Sequence, residues 1–176
     1  TGVVTAEVTA ASASDLVANL KNAKNDKLTL EISATETKAS DLKILDAKTS
    51  VTIDADGISK LVGNAADVKT VLNSAEINLG GDRNIEVTGK ISAADANTII
   101  NKTSGTVTAE VAAGTAKALN DALTDSTLPV GGNALKLTVT GTTANAADLN
   151  GLDSKTTVAV DAAAIKTVTG TDTSIA

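Results

Sequence analysis

Thr1-Gly-Val-Val-Thr-Ala-Glu-Val-Thr-Ala10 returns near the middle of the chain as Ser104-Gly-Thr-Val-Thr-Ala-Glu-Val-Ala-Ala113, with 7 of 10 positions identical. A second match lies downstream of each copy. Thr35–Gly63 agrees with Thr142–Gly170 at 13 of 29 positions, among them Asp41/Asp148, Leu42/Leu149, Leu45/Leu152, Lys48/Lys155, Asp54/Asp161 and Ile58/Ile165. The first pair is offset by 103 residues and the second by 107, and a short insertion near Leu128-Pro-Val-Gly-Gly-Asn133 absorbs the difference. The sequence reads as one long repeat over residues 1–103, about four strand-helix coils, followed by a partial second copy over 104–176. Internal repetition decides fold class ahead of local propensity. It also predicts an excerpt of a longer array.

The 176 residues suffice for a sizeable core, but they include no Phe, Tyr, Trp, Met, Cys or His. Apolar burial falls to Val, Ile, Leu and Ala, which suit the thin, regular layers of a repeat architecture. The same absences restrict chemistry. Without His there is no ordinary near-neutral base and no imidazole ligand. Without Cys there is no thiolate nucleophile, disulfide or zinc-thiolate site. Arg83 is the sole arginine, which leaves little for bidentate phosphate recognition. Without aromatics there is no stacking platform for bases or sugars. A net charge of −6 opposes binding to nucleic acid and to anionic lipid. An enzyme is not expected. No apolar run approaches the roughly 20 residues of a membrane span. No signal peptide is visible, and the first residue is not Met, which predicts a processed product or a piece of a longer chain.

Seven segments alternate with period two: Val4–Val8, Leu28–Ile32, Val51–Ala55, Asn84–Thr88, Val107–Val111, Leu135–Val139 and Val158–Ala162. Alternation means one buried and one wet face, so helices are expected on one side of a parallel sheet. Helix starts lie between them. Ser12, Asn64, Ser92 and Asn145 each precede an acid (Asp15, Asp67, Asp95, Asp148) by three residues. Asp41 has Lys38 at that place and lacks a good cap. The predicted core is Val4, Leu28, Leu30, Ile32, Val51, Ile53, Val107, Leu135, Leu137, Val158 and Val160. Residues 75–84 break the rhythm. In the long step that leads to them we expect helical pieces at Ile58–Val62 and Asn64–Asn73, then over Ala75–Leu79 a short extra strand in a hairpin with 84–88 across Gly80-Gly-Asp82, or else a boundary between two four-strand halves near Gly81. The fold class is α/β: a right-handed solenoid of about seven strand-helix coils with helices on one side.

One strand and one helix per coil of about 23 residues resembles the leucine-rich-repeat type of α/β solenoid in architecture, without its Asn ladder or Leu spacing. The stretch Ala146-Ala-Asp-Leu-Asn-Gly-Leu-Asp-Ser-Lys-Thr-Thr-Val-Ala-Val-Asp-Ala162, followed by Ile165-Lys-Thr-Val-Thr-Gly170, resembles the tandem repeats of giant bacterial cell-surface proteins of cyanobacterial type. That resemblance implies an extracellular, structural or adhesive role and no catalytic residues.

The outward centres of the strands are mostly acidic: Glu7, Glu31, Asp54, Glu86, Glu110 and Asp161. Stacked in register they would lie about 4.8 Å apart, a candidate calcium-binding stripe. The plainer reading is a solvated face screened by lysines such as Lys136. Gly80-Gly-Asp82 is similar to the calcium turns of secreted bacterial repeats, with Asp82 as ligand, or is a plain turn. The outward threonines, interrupted by carboxylates, do not make an ice-binding face, and Asn101-Lys-Thr103 is a chance glycosylation sequon. The sequence thus predicts a structural repeat module of an extracellular surface or filament-forming protein. Its expected partners are neighbouring copies or adjacent repeats, stacked end to end. The alternative is a calcium-dependent adhesive module.

Overall fold

A computed structural model describes residues 2–124 and 132–171. Most of the expected insertion at 128–133 and the tail 172–176 lie outside the described residues. The chain is mixed α/β, with six helices and parallel sheets among the described residues, and divides into two compact units, 1–86 and 87–176.

The first unit runs β1 (Thr5–Glu7), α1 (Ala13–Asn19), β2 (Lys27–Thr29), β3 (Glu36–Lys38), α2 (Ala39–Asp46), β4 (Ile53–Ala55), β5 (Lys60–Asn64), α3 (Ala65–Asn73) and β6 (Ile77–Leu79). β7 (Asn84–Ile91) spans the division. The second unit continues with α4 (Ala93–Ile100), β8 (Val107–Val111), α5 (Ala116–Ala122), β9 (Ala134–Lys136), β10 (Thr143–Asn145), α6 (Ala146–Asp153) and β11 (Thr167–Thr169). β1 pairs with β2, β4 with β6 and β10 with β11, and a five-stranded parallel sheet has the order β3-β5-β7-β8-β9. Paired residues are separated by one strand-helix module, as with Ala11 and Ile32, Glu31 and Asp54, or Thr108 and Ala134. α1 packs on α2 and α2 on α3 in the first unit, and α4 on α5 and α5 on α6 in the second.

Seven to nine residues are too few for a helix to stand alone in water, so each helix depends on its cap and its buried stripe. The side chains of Ser12, Asn64, Ser92, Thr115 and Asn145 accept from first-turn amides. Lys38 gives α2 no such bond, as its sequence implies. Leu16, Leu42, Leu45, Val68, Val71, Ile99, Leu119 and Leu152 are the buried stripe. The strands supply the other wall: Leu28, Leu30, Ile32, Ile53, Val107, Leu135 and Leu137 are buried, and Thr29, Glu31, Asp54, Thr108 and Lys136 between them are exposed.

Several expectations need correction. Most modules hold two extended stretches. β3, β5, β10 and β11 each follow an alternating segment, and β3, β5 and β10 lead straight into a helix. Ile58–Val62 is therefore not helical, because Leu61 is the inward residue of β5. The strand expected within Ala75–Leu79 is present as β6, and it continues the ladder of β4, with Ile53 opposite Ile77. It forms no hairpin with 84–88, since β7 belongs to the five-stranded sheet. Val4 and Val158 are exposed at 54% and 38%, and Val51 and Val160 are half-buried, because alternation sets the side a residue faces but not whether a neighbour covers it.

The two sequence copies share most elements, although the counterpart of β4 at 160–162 is only an isolated bridge at Asp161. β3, α2 and the start of β5 recur 107 residues later as β10, α6 and β11 (Glu36/Thr143, Ala39/Ala146, Lys60/Thr167). The end of this stretch, expected as helix at Ile58–Val62, is strand there and in the second copy. The bonds recur as well. Asp54 N–H donates to the Leu30 carbonyl at 2.9 Å, and Asp161 N–H to the Leu137 carbonyl at 2.9 Å.

Candidate functional site

The acidic residues do not form one continuous row. Glu7 lies opposite Thr29, and Asp54 has Asn78 on one side and Glu31 on the other. Glu31 and Asp54 are direct ladder neighbours. Asp161 pairs with Thr138. Lysines answer the rest. Lys60 bridges Glu86 at 2.8 Å and Glu36 at 3.3 Å, and those hydrogen bonds raise its pKa. Glu110 sits between Lys90 at 3.3 Å and Lys136 at 3.6 Å. The hydrogen bond from Lys90 is the main cause that lowers the Glu110 pKa. Opposite charges facing each other across a ladder stabilise it modestly. No cluster of three or more acidic ligands occurs among the described residues.

Asp82 is exposed on the turn after β6 and shares a shallow cleft with Asp56, Gly57 and Gly80. This turn is held tightly: a Cβ on Gly80 would meet the Asp56 carbonyl oxygen at 2.8 Å, so only glycine fits. The Arg83 guanidinium is buried beside it and donates to the Leu79 carbonyl at 3.2 Å. Burial pushes its pKa down.

Polar groups that join one module to the next were missed in the sequence. Thr49 is buried, donates through Oγ1 to the Leu28 carbonyl at 2.7 Å and accepts from the amides of Leu28 and Val51, both at 3.1 Å. Thr156, its counterpart, donates to the Leu135 carbonyl at 2.7 Å and accepts from Leu135 at 2.9 Å and Val158 at 3.1 Å. A hydroxyl takes the place of a missing ladder partner, which buried backbone groups require. A second pair behaves alike. Val4 N–H donates to Asp26 Oδ1 at 2.9 Å and Val107 N–H to Asn133 Oδ1 at 2.9 Å. Asp26 is half-buried and Asn133 is only 2% exposed, so the charged acceptor stands where water reaches it and the neutral amide where it does not.

Besides Ile44 on α2, large apolar side chains come to the surface at two module faces among the described residues. On the first face Val3 and Val4 are exposed, in a cleft floored by Lys21, Lys24 and Asp26. On the last, Val158 and Val168 are exposed, near a cleft lined by Leu149, Asn150, Asp153, Val160 and Ala162. These faces offer backbone edges and valine methyls, which suit association with another sheet. The chain matches no known protein family, curated protein or solved structure.

Proposed function

We propose that the chain is a structural repeat module of an extracellular bacterial surface or filament-forming protein. In this reading it is a segment of a right-handed α/β solenoid, continued end to end by neighbouring repeats. The supporting observation is the recurrence of the module-joining bonds: Thr49 and Thr156 each hold the preceding module through the amide and carbonyl of one leucine, Leu28 and Leu135, and each also accepts from the amide two residues on, at a constant offset of 107. Bonds that fix one module on another are what a stacked array needs, since each repeat is stabilised chiefly by its neighbours. The parallel pairing of successive modules supports the same reading. The extracellular placement rests on the resemblance of residues 146–170 to giant surface-protein repeats.

Small-angle scattering tests the proposal on the chain and on a version with residues 1–103 duplicated in tandem. Four added modules at about 4.8 Å per strand lengthen a stack by roughly 19 Å at constant cross-section. A thicker cross-section, or a profile of two independently tumbling bodies, contradicts it.

A further inference from the structure

Val4-Thr-Ala-Glu-Val8 and Val107-Thr-Ala-Glu-Val111 are the same pentapeptide. Each pairs in parallel with the strand of the next module, Ala6 opposite Leu28 and Ala109 opposite Leu135. They differ on the other side. β8 has β7 as its second neighbour, and Ala112 N–H donates to the Ile91 carbonyl at 2.8 Å. β1 is the outer strand of a two-stranded sheet. Val107 is accordingly 0% exposed and Val4 54%. The last face has a covered counterpart too. Ile53-Asp54-Ala55 lies under Ile77-Asn78-Leu79, and the Ser59 carbonyl accepts from Asn84 N–H at 2.8 Å. Val160-Asp161-Ala162 and Lys166 hold the same positions 107 residues on, with no such strand beside them among the described residues.

Both covered counterparts are covered by the same kind of module, the fourth, which holds β6, β7 and α4. We infer that the two open faces are surfaces for a fourth-type module, and that the first face selects it over the open last face of a second copy. The inference rests on the stacking reading above and names the occupant. Chemistry favours this partner. β7 buries Ile85, Val87 and Ile91, and it carries Lys90, which reaches Glu110 at 3.3 Å. The counterpart of Glu110 on the first face is Glu7, exposed and awaiting such a cation. β11 of a second copy would offer Thr167-Val-Thr169, with one apolar residue and no charge within the strand.

The test extends the intact chain ahead of Thr1 in two ways. One extension is its own residues 76–103, which keeps the junction found before Ser104. The other is residues 142–171. Amide hydrogen exchange is read at Glu7 and Thr9, with Leu30 and Leu137 as controls that the chain remains folded. The fourth-type extension is expected to slow Glu7 and Thr9 by about tenfold or more, and the other to leave them within about twofold of the unextended chain. Equal protection by both extensions, or by self-association of the unextended chain, overturns the selectivity while leaving stacking intact. If neither extension protects, the stacking reading falls with it.

Discussion

Thr49 and Thr156 are buried polar residues whose hydroxyls satisfy backbone atoms of the module before them. Valine has the same shape but leaves those atoms without a partner. Thr49→Val is expected to cost about 1–3 kcal/mol in chemical denaturation, whereas Thr52→Val on the exposed side should stay within about 0.5 kcal/mol. Asn133→Asp places a charge where the existing residue is 2% exposed. It should lower the melting temperature clearly, while Asp26→Asn at the half-buried counterpart should be nearly neutral. Carboxylates divide by sign. The Glu110 pKa is lowered chiefly by Lys90, and that of Asp67 by Lys43. Their stabilisation is present above the ordinary carboxylate value and is lost as pH falls through the lowered folded value. The Asp46 pKa is raised by burial and then by Glu76. Its contribution is present below the unfolded value and is lost as pH rises through the raised one. In urea midpoints taken between about pH 3 and 7, Glu110→Gln should flatten the acid limb and Asp46→Asn should stabilise near neutrality. The opposite signs would contradict the assigned environments.

The helices show how far short elements lean on single side chains. Ser12 accepts from the Asp15 amide at 3.2 Å, and its hydroxyl donates to the Asp15 carboxylate at 2.6 Å. Ser12→Ala should cost about 1 kcal/mol. Lys38 occupies the same position in α2 without a side-chain bond, so Lys38→Ser should gain up to about 1 kcal/mol. A loss of stability in that variant would mean that Lys38 has a role its geometry does not reveal. These caps were legible in the sequence because a polar residue three before an acid is a local signal. So were β2, β4, β8 and β9, where Leu28, Ile53, Val107 and Leu135 alternate with polar residues. The strands β3 and β10 were not, because their inward residues are Thr37 and Ala144, too small or too polar to mark a period. β5 was misread because Ile58, Leu61 and Val62 fall at helical spacing. Thr49 and Thr156 matched in the two copies, yet a threonine after a helix reads as an ordinary turn until its partner in another module is seen. The exposure of Val4 and Val158 was hidden for a different reason. It depends on what lies beside the strand, which the alternation of the strand itself does not encode.

Burial by an adjacent module, rather than local sequence, therefore distinguishes the two copies of Val-Thr-Ala-Glu-Val. The chain contains its own control. Glu7 and Glu110 have the same flanking residues, and so the same intrinsic amide exchange rate, but among the described residues β1 has no outer neighbour like the one β7 gives β8. The most direct measurement is native-state hydrogen exchange of these two amides in one sample. The account predicts that Glu110 exchanges at least about tenfold more slowly than Glu7. Equal rates would contradict the claim that modules of this chain are held by the modules stacked beside them.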